Sequence, residues 1–244
     1  MSEASSVTRL TALVPAAGGS RRFGADRPKQ YAQIGGRTLL ARTLDRLVAA
    51  FPSLDVVVAL APDDVLYDTA IGPRANVETL RCGGTTRSTT VAQALTSLAA
   101  RCATDDWILI HDAARPCVPI DALLRLVAEL ASDAVGGLLA IPAGDTLKRE
   151  DESEPGRVLA TLDRTHIWQA QTPQMFRFGV LRAAFALPGA FETTDEAQAI
   201  EALAGTGACP PPRLVAGSAQ NIKVTYPSDL ALAAAILAAQ EGRE

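Results

Sequence analysis

The sequence predicts an α/β fold: a largely parallel mixed sheet with helices on both faces and an inserted β-arm. Two observations lead to this prediction. Through residue 141, strand-like apolar runs alternate with segments of helical spacing, and this alternation is typical of βαβ units. A polar stretch at residues 148–157, KREDESEPGR, then interrupts the alternation and indicates the arm.

The elements before the arm follow from two periodicities. Residues 55–61, DVVVALA, form a nearly continuous β-branched run, as expected for a strand that is buried on both faces. Residues 38–51 instead carry apolar side chains at helical spacing. On the same grounds, strands are predicted at residues 10–15, 55–61, 77–81, 107–111 and 134–141, and helices at 38–51, 88–101 and 120–131.

Residues 142–171 are predicted to form a protruding hairpin with a strand at 157–162, and a surface loop lying on its own subunit is the alternative. We expect a disordered N-terminus at residues 1–8 and a single domain over residues 9–240. After the arm, helices are predicted at 176–186 and 194–203, strands at 213–216 and 221–224, and a last helix within 230–239.

The composition disfavours several classes of protein. The net charge of −4 and the pI near 5.3 disfavour a general nucleic-acid-binding protein. No apolar signal segment begins the chain, and its apolar C-terminal stretch is too short to span a bilayer, so we expect no membrane partner. Four cysteines without a C-x-x-C pair indicate reduced thiols and a cytoplasmic protein. The two histidines, His111 and His166, lie too far apart to suggest a zinc site.

The segment at residues 13–31, LVPAAGGSRRFGADRPKQY, predicts a polyphosphate site. An apolar strand runs into small residues, which let backbone N–H groups approach an anion closely. The cations Arg21, Arg22, Arg27 and Lys29 follow, although the chain as a whole is acidic. The segment matches neither a Walker A loop nor G-x-G-x-x-G. A strand-to-helix turn with a solvated basic face is the alternative.

Two further loops follow predicted strands, at the edge where open α/β sheets bind ligands. Residues 83–90, GGTTRSTT, offer glycines for close approach and hydroxyls for a ribose or a base, or else only cap the next helix. In residues 111–116, HDAARP, the Asp112 carboxylate follows a buried strand and suits Mg²⁺. Asp112 could equally cap a helix or pair with Arg115.

The polar residues of these loops indicate a type of chemistry. Cations, hydroxyls and one prominent carboxylate dominate, and no Ser/His/Asp or Cys/His arrangement is indicated. Such an inventory suits phosphoryl or nucleotidyl transfer, in which catalysis is mostly positioning and charge neutralisation.

Nine segments occur in one order along the chain: PAAGGSRRFG, PKQY, GGTTR, HDAARP, DTLKR, DR, QTPQ, TDEA and NIKVT. Together they make the chain resemble the 2-C-methyl-D-erythritol 4-phosphate cytidylyltransferases of the non-mevalonate isoprenoid pathway, over about residues 9–239. The resemblance implies a Rossmann-like nucleotidyltransferase fold and transfer of CMP from CTP to methylerythritol phosphate. It also implies Mg²⁺ or another divalent cation, and a homodimer formed through the 142–171 arm.

The resemblance also assigns roles to residues at matching positions. Arg22 and Lys29 would stabilise the triphosphate, and Arg164 and Lys223 would orient the acceptor phosphate; these four are the predicted catalytic residues. Because the arm would reach across the dimer, Arg164 would serve the partner's site. The predicted nucleotide-binding residues are Ala16, Ala17, Gly18, Gly83, Thr90, Asp112, Ala114 and Arg115. The predicted acceptor-binding residues are Asp112, Arg115, Thr146, Arg164, Thr172, Thr194 and Lys223, and the predicted metal ligand is Asp112.

One loop departs from the family pattern. The second loop of the family commonly carries acidic residues and a serine, and here Thr86, Thr89 and Thr90 take those places. Thr90 keeps a hydroxyl, so contact with the base or the ribose stays plausible on chemical grounds.

Two alternatives stay open. A related cytidylyltransferase could act on another polyol phosphate, such as ribitol 5-phosphate, and would differ around residues 146–225. A non-catalytic nucleotide-binding protein could use the same fold, since a fold does not imply a function. A dinucleotide-dependent oxidoreductase is disfavoured because G-x-G-x-x-G is absent from the sequence.

Overall fold

The computed structural model describes residues 8–18, 23 and 27–242. The predicted catalytic residue Arg22 and all but the last residue of the expected disordered N-terminus lie outside the described residues. The strands are β1 (Leu10–Pro15), β2 (Gln33–Ile34), β3 (Arg37–Thr38), β4 (Asp55–Ala59), β5 (Val77–Leu80), β6 (Trp107–Ile110), β7 (Gly136–Pro142), β8 (Leu147–Glu150), β9 (Val158–Leu162), β10 (Trp168–Arg177) and β11 (Arg213–Ala216). The helices are α1 (Leu39–Ala50), α2 (Tyr67–Ala70), α3 (Arg87–Leu98), α4 (Ile120–Leu130), α5 (Phe178–Phe185), α6 (Glu196–Gly205) and α7 (Asp229–Glu241).

Seven strands of the described chain form one mixed sheet in the order β11-β7-β10-β6-β1-β4-β5. Neighbouring strands are parallel except at β10, which runs antiparallel to both β6 and β7. The predicted largely parallel mixed sheet is therefore confirmed. Two small antiparallel hairpins, β2–β3 and β8–β9, lie outside it.

Alternate side chains of the buried strands pack into two cores, one on each face of the sheet. In β1, Ala12 and Val14 join one core and Leu13 joins the other, because successive side chains of a strand point to opposite faces. Helices α1 and α4 contribute to the first core, and α3, α5 and α6 contribute to the second. Helices on both faces were predicted, and the structure confirms them. Burial on both faces also explains the continuous apolar runs of the sequence.

The prediction of a helix over residues 176–186 was wrong at its start, because a strand was missed there. Strand β10 runs to Arg177, and helix α5 begins only at Phe178. Pro173 conceals the strand in the sequence, since proline is unusual within an interior strand. The ladder between β10 and β7 is irregular around this proline, and its register shifts between Ala170 and Gln174.

Residues 221–224 were predicted as a strand, and this was also wrong, because they have no regular secondary structure. Asn221 is fully buried, and its amide donates to the Thr172 carbonyl over 2.8 Å. Val224 is buried too, and its N–H donates to the Ala114 carbonyl over 2.9 Å. Two buried anchors therefore hold this irregular segment in place, and Lys223 lies between them.

The predicted arm contains the exposed hairpin β8–β9, while residues 168–171 at its end belong to β10 of the main sheet. Several of its apolar side chains, Val158, Leu159, Leu162, Ile167 and Trp168, are between 37% and 62% exposed. Among the helices that the structure describes, none combines the length and the apolar character needed to cross a membrane.

Candidate active site

The loops that follow β1, β5 and β6 meet at one edge of the sheet, because parallel strands place their carboxyl ends on the same side. Together with Thr194 and the segment around Lys223, these loops line a cavity of about 510 Å³. Nine of the predicted site residues line this cavity: Ala16, Ala17, Gly18, Lys29, Thr90, Asp112, Ala114, Thr194 and Lys223.

The PKQY segment explains how the first loop and Lys29 are held. The buried Gln30 side chain donates from Nε2 to the Ala16 carbonyl over 2.7 Å. The Tyr31 hydroxyl donates to Asp64 Oδ2 over 2.7 Å, which fastens the short 3₁₀ turn to the loop after β4. Lys29 precedes these two anchors, and its Nζ donates to the backbone carbonyl of residue 224 over 3.1 Å. Lys29 is thereby placed beside the segment that carries Lys223.

Gly83 brings the first and second loops into contact. Its N–H donates to the Leu60 carbonyl over 2.7 Å. A Cβ at this position would overlap the Ala17 methyl group and the Leu60 carbonyl, so no larger residue fits without moving a loop. Gly83 itself stays behind the cavity wall, and Gly84 lines the cavity in its place.

The threonines of the second loop mainly bond to the loop itself. Thr86 caps α3, and its Oγ1 accepts from the Thr89 N–H over 3.1 Å. The Thr90 hydroxyl donates to the Thr86 carbonyl over 2.9 Å and accepts from the Gly84 N–H over 3.1 Å. These bonds fix the shape of the wall that a base or ribose would meet, and the capping alternative considered from the sequence is part of that arrangement.

The Asp112 carboxylate is the centre of charge in the cavity and is only 6% exposed. Its Oδ1 accepts from Arg87 Nε over 2.7 Å, and its Oδ2 lies 2.7 Å from Lys223 Nζ and 3.9 Å from Arg115 Nε. Burial alone would raise the pKa of Asp112, but Arg87, Lys223 and Arg115 outweigh it and hold that pKa well below its usual range. Asp112 is therefore ionised throughout the neutral pH range.

His111 supports this loop from inside the protein, where it is fully buried. Its Nε2 donates to the Arg115 carbonyl over 3.1 Å, and because a carbonyl only accepts, the ring proton lies on Nε2. Its Nδ1 accepts from the Thr172 hydroxyl over 3.0 Å. The oxygen of that hydroxyl in turn accepts from the Asp112 N–H over 3.0 Å. Burial is the largest cause that lowers the pKa of His111 to about 4, so the ring is neutral. The Thr172 hydroxyl was predicted to bind the acceptor substrate, and in the structure it belongs to this buried series of hydrogen bonds.

Two charged residues of the site, Arg87 and Glu196, were not among the predicted site residues. Arg87 begins α3 and lines the cavity, and besides Asp112 it contacts Glu196 through Nη1 at 2.6 Å and Nη2 at 3.0 Å. Burial alone would lower the pKa of Arg87, but the two carboxylates raise it above its usual value. Both residues lie within motifs that carried the family resemblance, GGTTR and TDEA. Their place in these motifs was the sequence signal by which they could have been predicted as site residues.

The family profile of 2-C-methyl-D-erythritol 4-phosphate cytidylyltransferase (IspD) matches residues 10–239. The chain belongs to this family. A 2-C-methyl-D-erythritol 4-phosphate cytidylyltransferase of Laribacter hongkongensis is 53% identical over 232 residues, which cover 95% of this chain and 97% of that protein. The protein of the same name from Dechloromonas aromatica is 51% identical over 237 residues, with coverage of 96% and 99%.

Solved structures of cytidylyltransferases share the fold. A 4-diphosphocytidyl-2C-methyl-D-erythritol synthase superposes with a TM-score of 0.80 at 37% identity, over 95% of this chain and 99% of that one. The cytidylyltransferase of Francisella tularensis has a TM-score of 0.77 at 33% identity, with coverage of 94% and 100%. The nucleotidyltransferase fold expected from the sequence is confirmed.

Some predicted site residues do not line the cytidylyltransferase cavity of this chain. Gly83, Arg115 and Thr172 lie behind its wall, where each supports a residue that does line it. Thr146 and Arg164 lie on the exposed arm and form no part of the cavity lining among the described residues.

The cavity offers the Asp112 carboxylate to a divalent cation. Each of its oxygens has one close contact, with Arg87 or with Lys223, and a carboxylate has about four lone-pair positions, so both oxygens keep capacity. Within residues 8–18, 23 and 27–242, no group of three acidic, His or Cys side chains could hold a metal by itself. The Asp112 carboxylate fits a Mg²⁺ whose other ligands are phosphate oxygens and water, because Mg²⁺ combines one or two carboxylates with such ligands.

Proposed function

We propose that this cytidylyltransferase converts CTP and 2-C-methyl-D-erythritol 4-phosphate into 4-diphosphocytidyl-2-C-methyl-D-erythritol and pyrophosphate, a step of isoprenoid precursor synthesis. One observation carries the proposal. Lys223, assigned to the acceptor phosphate, lies 2.7 Å from Asp112 on the wall of the cavity that the nucleotide loops form. The two substrates can therefore meet in a single cavity of about 510 Å³, which lies within the usual range of about 300–1,000 Å³ for small-molecule sites.

The acceptor needs no general base to become a nucleophile. The second pKa of a phosphate monoester is near 6, so the acceptor phosphate is already a dianion at neutral pH. His111 is neutral and fully buried behind Asp112, and it serves to hold the loop. What the site must supply is position and compensation of negative charge.

The reaction is an in-line displacement at the α-phosphorus of CTP. An acceptor phosphate oxygen forms a bond to this phosphorus while the bond to the oxygen that bridges to the β-phosphate breaks. The electron pair of the broken bond leaves with pyrophosphate. Mg²⁺, when held by Asp112, would neutralise part of the triphosphate charge.

The lysines divide the charge compensation between the two substrates. Lys29 approaches from the first loop and Lys223 from the segment beside it, and both line the cavity. We assign Lys29, together with Arg22, to the triphosphate, and Lys223, together with Arg164, to the acceptor phosphate. Fixed cations that line a cavity reduce the repulsion between a dianion and a polyanion more than mobile cations in bulk water do.

We infer that the working form is a homodimer built through the 142–171 arm, so that Arg164 acts in the partner's cavity. The arm exposes apolar side chains from Val158 to Trp168 in the single chain. Clustered exposed apolar surface is typical of an interface. Arg164 lies on the same segment and outside the cavity lining of its own chain.

The test of the function is release of pyrophosphate from CTP and Mg²⁺ with a panel of phosphate acceptors. We expect turnover with methylerythritol phosphate and far slower turnover with ribitol 5-phosphate. Lys29→Ala should bind CTP but lose about 10²–10³-fold in kcat, the usual loss when one charge-stabilising group is removed. Faster turnover with another polyol phosphate would show that this other compound is the acceptor. CTP binding without turnover on any acceptor would favour the non-catalytic alternative.

A further inference from the structure

We propose that Glu196 is a positioning residue of this site, which holds Arg87 and, through Arg87, sets the orientation and the charge balance of Asp112. The proposal rests on the nucleotidyl-transfer function proposed above. It extends the site to α6, because the Glu196 carboxylate on this helix acts on the cavity through the Arg87 side chain.

The geometry places Arg87 between two carboxylates from distant parts of the chain. Arg87 Nη1 and Nη2 contact Glu196 Oε1 at 2.6 Å and Oε2 at 3.0 Å, while Nε donates to Asp112 Oδ1 over 2.7 Å. A bidentate contact fixes the plane of a guanidinium group. Because Nε lies in that plane, the bidentate contact with Glu196 also fixes the direction from which Arg87 reaches Asp112.

Burial distinguishes this arrangement from an ion pair on the surface. Glu196 has no exposed surface, and Asp112 is 6% exposed. Exposed ion pairs contribute little because water screens them, whereas removal of one partner of a buried pair leaves an uncompensated charge. Glu196 therefore depends on the guanidinium group of Arg87, which it shares with Asp112.

Glu196 also sets the net charge that a divalent cation meets at Asp112. Two cations, Arg87 and Lys223, contact Asp112 at 2.7 Å, and without another anion they would leave its surroundings positive. Glu196 adds a second negative charge, which offsets one of these cations, while Arg115, 3.9 Å from Asp112, leaves the group with one net positive charge. Loss of the Glu196 charge would make the site more attractive to a free triphosphate and less attractive to Mg²⁺.

Ser88 provides a matched control because it joins the same two parts of the chain by another route. Its Oγ donates to the Thr193 carbonyl over 2.7 Å, so it also ties the start of α3 to the segment before α6. That bond involves neither Arg87 nor Asp112. Ser88→Ala therefore weakens the connection between the segments and leaves the charge arrangement in place.

The experiment compares Glu196→Gln, Ser88→Ala and the native chain. Calorimetry measures CTP affinity in EDTA and across a Mg²⁺ titration, and kinetics give the Mg²⁺ concentration for half-maximal turnover. For Glu196→Gln we expect a Mg²⁺ requirement raised about 10- to 100-fold, the usual effect of losing a group that orients a metal ligand. CTP affinity in EDTA should be unchanged or higher. Ser88→Ala should leave the Mg²⁺ requirement unchanged.

Two results would overturn the proposal. One is a Glu196→Gln chain that folds and keeps the native Mg²⁺ requirement. The other is CTP binding weakened equally with and without Mg²⁺, which would mean that Glu196 supports only the fold. If Glu196→Gln does not fold, Arg87→Lys provides the test. Lysine keeps the positive charge but cannot contact both carboxylates at once, so Arg87→Lys should also raise the Mg²⁺ requirement. Native chain that binds CTP but releases no pyrophosphate would refute the proposed function, while the calorimetric comparison would still judge Glu196.

Discussion

Lys223 Nζ lies 2.7 Å from Asp112 Oδ2, although one residue follows β6 and the other lies in the irregular segment near the end of the chain. The cation assigned to the acceptor phosphate is thus paired with the carboxylate assigned to the metal. Under these assignments, the nucleotide side and the acceptor side of the cavity are in direct electrostatic contact.

Replacement of Lys223 should affect the acceptor more than the nucleotide. Lys223→Ala removes one charged donor from the acceptor phosphate, and such contacts contribute about 1.5–3 kcal/mol. We therefore expect kcat/KM for methylerythritol phosphate to fall about 10- to 100-fold, with a smaller change in CTP affinity. Steady-state kinetics and calorimetry measure the two effects. Arg101→Ala, which breaks the exposed ion pair with Glu78, is the control and should leave both unchanged. A loss confined to CTP binding would contradict the assignment.

Replacement of Gly83 should separate the first two loops. In Gly83→Ala the new methyl group would overlap Ala17 and the Leu60 carbonyl, so one loop must move. Such overpacking costs about 1–3 kcal/mol, and we expect both a lower free energy of unfolding and weaker CTP binding. Gly205→Ala is the control, because a Cβ at Gly205 meets open space. Native-like CTP affinity in Gly83→Ala would show that the contact between the loops does not shape the nucleotide pocket.

The buried His111 should make the protein less stable in moderately acidic solution. Its pKa is lowered from 6.5 to about 4 by burial, so the unfolded chain takes up a proton that the folded chain does not. The stabilisation is present above pH 6.5 and is lost as the pH falls towards 4, at most about 3 kcal/mol. Urea unfolding between pH 7 and 4 measures it, and His111→Gln should flatten this dependence.

Asp112 follows the same rule in a lower range of pH. Its pKa is depressed below the ordinary 3.8, so its stabilisation is present above that value and is lost only in more acidic solution. A stability loss between pH 6.5 and 4 that persists in His111→Gln would therefore point to groups other than these two.

The arm can be tested by mixing two inactive chains. If Arg164 acts across a dimer, a chain carrying Arg164→Ala and a chain carrying Lys29→Ala form mixed dimers with one intact site. Random exchange makes half of the dimers mixed, so about a quarter of the native activity should return. Sedimentation of differently tagged chains verifies the exchange. Exchange without any recovery of activity would place Arg164 in its own chain's site or outside the site.

The sequence by itself determined the parts of this protein that depend on local burial. Strands β1 and β11 lie where their apolar runs predicted them, and β4, β5 and β6 differ by only one or two residues at their ends. The motifs likewise located the first three loops, because parallel strands must bring their carboxyl ends to one edge. Family resemblance supplied the roles, most of which fall on residues that line one cavity.

Only the tertiary structure decided the parts that depend on partners far away in sequence. Strand β10 crosses a proline and is a strand because β6 and β7 pair with it on both sides. The segment that carries Lys223 was predicted as a strand, yet its two anchors bind single carbonyls, one in β10 and one in the loop after β6. Arg87 and Glu196 are ordinary charged residues until α3 and α6 bring them together at Asp112. No local pattern records such pairings, because their energy arises only when the chain has folded.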